Sequence, residues 1–388
     1  MTARETKPSR EVYCLKKTAS WKWAMCAATS LMIGFGYDDI EVAYIGPGYE
    51  QYEGKTVAQQ ALQMKEHLGK TAYFHLPGLF EFTELYRKFL PLFYGHREWF
   101  YENCEIASLY GAPADALWGG GRVGFGEDDA ESVLSLLSEY GISGRLTFSN
   151  SLLLPEHLSD RKCNKLCELF AEAGHGSAAP GYTFAAKEAA GSRAGRSVKN
   201  GVIVHSEPLL SYLRETYPTL YFVSSTTKCL TEFGDLRKEL DREEFDYVVP
   251  DFRLNKAFSL LEGLSQKEKD KAEFLVNECC SVTCTERKEC YENVSLKSLG
   301  DTSVDHVCHG AHAAEGYRFS RAMENPAFIS REDIQNIYLP MGFSNFKIEG
   351  RGLGSAVVLE FLLYYLTRPQ WQLKVREEIY LDSSLDLF

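Results

Sequence analysis

Apolar and polar positions along this chain fall into two periodicities that take turns. Short runs rich in Val, Ile, Phe and Tyr alternate with longer segments whose apolar residues recur every three or four positions, so strands and amphipathic helices follow one another. From residue 104 onward eight strand-like runs can be read. They are CEIASLYG from Cys104, RLTFSNS from Arg145, GVIVHS from Gly201, LYFVSST from Leu220, DYVVPDF from Asp246, EFLVNE from Glu273, PAFISRED from Pro326 and FKIEGRG from Phe346. Helical patterns such as AESVLSLLSEYG, KCNKLCELFAEAG, EPLLSYLRETYP and CLTEFGDLRKELDR fill most of the intervals. Strict alternation of this kind means parallel strands joined by right-handed crossovers. Eight units predict an α/β fold, a parallel (β/α)8 TIM-like barrel, closed or incomplete, over residues 102–367, with an open doubly wound sheet as the alternative that counting leaves.

Upstream of that region EVAYIGP at Glu41, TAYFHL at Thr71 and helical patterns at Val57–His67 and Phe80–Phe93 suggest a small α/β appendage over residues 39–101. Residues 1–38 are expected to be disordered or loosely packed, and 368–388 form a C-terminal tail. Two stretches interrupt the barrel. Residues 174–200 are rich in Gly, Ala and Ser and read as an excursion between strands. Residues 279–325 are long, polar and cysteine-rich, and need something besides an apolar core to order them.

Charge narrows the function. The net charge of -12 argues against broad phosphate-backbone binding, so nucleic acid is the less expected partner. Eleven cysteines without regular spacing, in 388 residues, do not resemble the framework of a small secreted domain; reduced thiols and a cytoplasmic setting are expected. Basic residues Arg4, Lys7, Arg10, Lys16 and Lys17 precede an apolar stretch from Trp23 to Phe35, but it is shorter than the roughly 18 residues of a spanning helix. No membrane association is expected.

In a barrel of this class the residues just beyond each strand build the active site. Here they are polar: Tyr110, Asn150, His205, Ser224 with Thr226 and Thr227, Asp251, Asn277 with Glu278, Arg331, and Glu349 with Arg351. Helix capping alone would account for Ser206, Asp251 and Ser330. Cys229 follows the fourth run, Cys280 and Cys284 follow the sixth, and Cys308 lies on the way to the seventh. All four can reach the same mouth. Four thiolates there could hold an iron–sulfur cluster, with four iron and four sulfur atoms, or a zinc ion; buried reduced thiols are the plain alternative. Cys163 and Cys167 share a helix face with Leu166 and Phe170 and read as core. Gly119, Gly121 and Gly124 have the spacing of a dinucleotide loop without its strand and helix context. Within that loop Arg122 is a candidate clamp for a carboxylate or phosphate.

At FKIEGRG, following FISREDI from Phe328, the chain resembles the collagenase-like peptidase family U32. The likeness continues in YGAPADALWGGGR, VIVHSEPLLSYLRETYP, VSSTTKCLTEFGDL and NECCSVTCTERKECY, and spans roughly Cys104 to Tyr365. The family includes proteins called proteases and oxygen-independent hydroxylases, several with a four-cysteine iron–sulfur cluster. The resemblance therefore implies Cys229, Cys280, Cys284 and Cys308 as cluster ligands and Arg351 as a mouth residue. One departure is clear: Asn277 and Glu278 stand where the family has Gly-Ala or Gly-Ser before its first cysteine. The expected function is iron–sulfur-dependent, oxygen-independent modification, by hydroxylation, of a small molecule or nucleic-acid base. Glu278 would carry protons, Asn150 would complete the catalytic set, and Arg122 and Arg351 would hold an anionic small-molecule substrate. The alternatives are a peptidase, and a non-catalytic iron–sulfur or zinc barrel that binds a protein partner.

Overall fold

Eight parallel strands surround one axis in the computed structural model, which describes residues 70–120, 129–173, 198–301, 303, 306–310 and 318–385. They are β1 (Ala72–Pro77), β2 (Cys104–Gly111), β3 (Ser143–Phe148), β4 (Gly201–Val204), β5 (Tyr221–Ser224), β6 (Tyr247–Val248), β7 (Glu273–Leu275) and β8 (Asn345–Lys347). Ladders run in the order β6-β5-β4-β3-β2-β1-β8-β7, and a single parallel bridge between Val248 and Ala272 joins the two ends into a ring. This is the predicted (β/α)8 barrel.

Its first and seventh staves differ from the sequence reading. TAYFHL, expected in the appendage, is β1, hydrogen-bonded between β2 and β8. The run from Pro326 to Asp333 is not a strand: Ile329 N donates to Val276 O at 2.9 Å, and Ser330 then caps a helical turn by accepting from Asp333 N. Asp251 and Ser206 likewise act as caps, accepting from Arg253 N and Leu209 N.

Helices α1 (Thr83–Gly95), α2 (Ala130–Tyr140), α3 (Arg161–Ala173), α4 (Glu207–Thr216), α5 (Phe233–Asp241), α6 (Gln266–Lys271), α7 (Arg287–Ser298) and α8 (Ser355–Leu366) lie between or after the strands. Alternate strand residues serve two faces, because successive side chains on a strand point to opposite sides. Phe74, Leu146, Phe148, Val202, Phe222, Phe274 and Phe346 belong to the main core with the helices, which includes Cys163 and Cys167 of α3. Tyr110, Ile203, Val223, Val249 and Leu275 form a separate, small cluster inside the barrel.

The rest of that interior is charged. Glu273 on β7 is fully buried and accepts from Arg145 Nη1 on β3 at 2.5 Å, with Lys347 Nζ at 3.3 Å and His75 Nε2 at 3.5 Å. Arg145 Nε also donates to Tyr221 OH at 2.7 Å, and its guanidinium lies 4.5 Å from the Tyr247 ring centre. Burial alone would raise the Glu273 pKa, yet Arg145, His75 and Lys347 hold it far below the carboxylate range. His75 is driven down to about 3 by burial and by Arg145. Its Nε2 faces only acceptors, Asn345 Oδ1 and Glu273, so that nitrogen carries the proton while Nδ1 accepts from Ser108 Oγ at 2.8 Å.

Candidate functional site

The ends of the strands open onto a cavity of about 880 Å³. Its floor is formed by Tyr110, Thr147, Ile203, Leu275 and Lys347, inward residues of β2, β3, β4, β7 and β8. Its rim is the cysteine-rich connection after β7. Two asparagines fix that connection. Asn277 accepts from Glu349 N at 2.8 Å and donates to Glu349 O at 3.1 Å, joining the exits of β7 and β8. Asn325 donates to the carbonyls of Glu278 and Cys280, both at 2.9 Å.

The expected residues separate into two groups. Glu278, Cys280, Cys284, Cys308 and Arg351 all line the cavity, as do Cys279 and Cys290. Arg122 lies outside the described residues. Asn150 is placed differently from the expectation that put it in the catalytic set. It is fully buried, donates to Leu117 O at 3.2 Å and Ser295 O at 3.1 Å, and accepts from Leu152 N at 2.9 Å. With its amide so committed it braces α7 against the exit of β3. Cys229 ends a short turn after β5, half-buried, with φ of +51°, and among the described residues no other non-glycine has positive φ. A cysteine is rarely held in this region, and such strain concentrates at functional positions.

Glu278 is equally committed. It is buried against Arg287 of α7, whose Nη2 lies 2.5 Å from its Oε2, while its Oε1 accepts from Cys280 N at 2.8 Å. That geometry makes it a fixed charge rather than a free proton carrier. Burial pushes the Cys280 thiol up to about 12, and Arg287 opposes the rise through charge and a hydrogen bond. Cys229 is raised by burial too, and Arg287 again leads the opposing influences. One guanidinium thus acts on two of the expected ligands.

Further polar groups, of which Lys347, Thr147 and Arg287 were not singled out in the sequence, lie at the cavity. Lys347 is buried at its floor, and burial, helped by Arg145, lowers its pKa to about 8 despite Glu273. Thr147 Oγ1, Thr226 Oγ1 and Arg287 Nε are buried polar atoms of lining residues with no hydrogen-bond partner. Buried donors of this kind are normally satisfied, and orphans ask for a ligand or water. A chain of hydroxyls crosses one wall: Ser225 Oγ donates to Ser149 Oγ and Thr227 Oγ1 to Ser225 Oγ, each at 2.9 Å, and His205 Nδ1 lies 2.8 Å from Thr227 Oγ1. Thr226, Thr227 and His205 were signalled by their place just after strands, whereas Thr147 and Lys347 lie inside β3 and β8 and Arg287 on α7, where no such signal marks them.

Whether the cysteines suit a metal group is a matter of spacing. A tetrahedral zinc ion with Zn–S near 2.3 Å draws its sulfurs to within roughly 3.8 Å of one another. Among the described residues, the one set of three candidate ligand atoms within 4.8 Å is Glu278, Cys279 and Glu349, so no three cysteine sulfurs are gathered that tightly. Glu278 in that trio already serves Arg287 and Cys280 N. An iron–sulfur cluster spreads its thiolates over separate irons and needs them further apart. Of the four expected ligands, Cys280, Cys284 and Cys308 line the cavity and Cys229 does not, although Arg287 acts on Cys229 as it does on Cys280.

No family model matches the chain, and no curated protein does. A similar solved structure is that of the U32 peptidase Mk0906, at a TM-score of 0.41 and 13% identity, covering 73% of this chain and 93% of that one. No helix among the described residues is long and apolar enough to cross a membrane.

Proposed function

We propose that the chain is an oxygen-independent modifying enzyme, a hydroxylase of an anionic small molecule or a nucleic-acid base, with an iron–sulfur cluster at the barrel mouth. The observation that carries this reading is the convergence of Cys280, Cys284 and Cys308 on the cavity that also holds Lys347 and Arg351. Cys229 would complete the set. Such a cluster, when bound, supplies one-electron chemistry.

The chain's own groups do the rest. Arg351, with its side chain 15% exposed and Glu81 Oε1 at 3.4 Å, presents a guanidinium to a substrate carboxylate or phosphate. Arg287 offsets part of the burial that raises the Cys280 and Cys229 thiols, and metal binding would draw both toward the thiolate, since ligands must be deprotonated. Protein purified without oxygen is expected to be brown, with broad absorbance near ~400 nm, and to lose iron in Cys280→Ala and Cys284→Ala but not in Cys163→Ala. A colourless protein with stoichiometric zinc, or iron indifferent to both changes, overturns the reading.

A peptidase is the second reading, favoured by Thr227 and His205 standing 2.8 Å apart, where turning the Thr227 hydroxyl from Ser225 to His205 would pair nucleophile with base. Peptide cleavage that survives iron removal and vanishes in Thr227→Val would establish it in place of the first.

A further inference from the structure

Of the charged groups that fill the barrel interior, Lys347 differs in facing the open cavity. It stands beside His75 of β1 and Leu275 of β7, its side chain is 6% exposed, and it forms part of the floor. Its ammonium has to share its one carboxylate with Arg145 and otherwise lies against a ring face. Glu273 Oε1 lies 3.3 Å away, but the same carboxylate binds Arg145 more closely, at 2.5 Å. The other near neighbour is the Tyr110 ring, whose centre is 3.7 Å from Nζ. Tyr110 OH is itself donated to Ile348 O at 2.6 Å and takes no proton from the lysine. A dehydrated lysine beside a second cation is the environment that frees an amine for attack on carbonyl carbon.

Arg351 supplies the complement. It lies four residues further along the chain, lines the same cavity, and is held by Glu81 only at 3.4 Å. Glu81 itself is buried, and burial raises its pKa against the pull of Arg351. A second carboxylate offered from the cavity can therefore compete for the guanidinium.

The geometry points to Lys347 as a covalent docking site for a small oxo acid, an aldehyde or ketone bearing a carboxylate, with Arg351 holding the carboxylate. The Nζ lone pair forms the C–N bond, the carbonyl oxygen leaves as water with both amine protons, and an imine remains. No oxidant or reductant is consumed. This step needs no metal, so it stands apart from the cluster reading and its failure would leave that reading intact.

The test is reductive trapping on the full chain with glyoxylate and borohydride at about neutral pH, followed by peptide mapping. Lys347 is expected to carry the carboxymethyl adduct at least about tenfold over any other lysine, because an amine titrating near 8 is neutral far more often than one near ~10.4. In Arg351→Gln, glyoxylate labelling of Lys347 should fall about tenfold, while labelling by propanal, which has no carboxylate, should change less than about twofold. Labelling of Lys347 no greater than that of exposed lysines overturns the inference, and wild-type protein alone suffices for that outcome. Equal losses with both carbonyl compounds in Arg351→Gln overturn the role given to Arg351. The same labelling in iron-free protein is expected, which separates this result from the fate of the cluster.

Discussion

Arg145→Met removes the guanidinium that holds Glu273 inside the barrel. The side chain it replaces is 1% exposed and its partner is fully buried, so solvent cannot take over the lost pairing. Removing one partner of such a pair costs about 3–5 kcal/mol, because a charge is left uncompensated in a medium of low polarity. Lys347 remains 3.3 Å from the other oxygen of Glu273 and offsets part of this, and Met restores some of the contact with Tyr221 and Tyr247; the expected loss is therefore about 3 kcal/mol. The assay is urea unfolding followed by circular dichroism and by tryptophan fluorescence, with coincident curves required before a free energy is taken. A double-mutant cycle with Glu273→Gln should give a coupling of more than about 1 kcal/mol. A single-mutant loss below about 1 kcal/mol with additive changes in the cycle would refute the claim that the interior charges are mutually dependent.

Three further outcomes follow from particular residues. His75, neutral when folded down to about pH 3, lets the unfolded chain bind one more proton below about 6.5; stability should fall as pH drops from about 6.5 to 4.5, by up to ~1.4 kcal/mol per pH unit, and His75→Gln should flatten that slope in thermal melts. Gly120 has φ of +57°, and a Cβ there would meet Asn150 N and Cα at 2.5 Å; Gly120→Ala should cost more than about 2 kcal/mol by urea unfolding, and a neutral result would mean the loop is not held as described. Ser330→Ala, which removes a reciprocal cap shared with Asp333, should cost about 1 kcal/mol, whereas Ser330→Asp should restore most of it.

The barrel was legible because its outward face obeys the rule for buried strands, with Leu146, Phe148, Val202 and Phe274 supplying a regular apolar beat. TAYFHL was recognised as a strand but assigned to the appendage, since its partner β8 is some 270 positions away and no local pattern reports such pairing. The run at Phe328 and Ile329 is buried and extended and so imitates a strand, yet Ser330 and Asp333 turn it into a helix start. Tyr110, Glu278, Cys280, Cys284, Cys308, Glu349 and Arg351, singled out in the sequence for their places at or after strand ends, all line the cavity. Sequence reading could not see that Glu278 and Asn150 would be consumed by Arg287 and Ser295, both contributed by a helix whose docking is a tertiary event. Nor could it see the interior charges. Arg145, Glu273 and Lys347 occupy the polar positions of alternating strands, the pattern of residues that ordinarily face water.

The ring is continuous through seven ladders but closes through one bridge, between a two-residue strand and the residue before β7. Outside that seam Lys271 donates to Leu240 O and Arg242 O, and Arg237 pairs with Glu268 across α5 and α6. The joint is thus held more by side chains of neighbouring helices than by the sheet itself. In native-state amide exchange this makes the seam a place where opening can begin without global unfolding. Amides of β6 and the start of β7 should lose protection at lower denaturant than those of β1 to β4, and neutralising Lys271 should widen the gap. The protein would then behave less as a rigid hoop than as a curled sheet with one edge free to breathe, and β7, which leads into the cysteine-rich rim, lies on that edge.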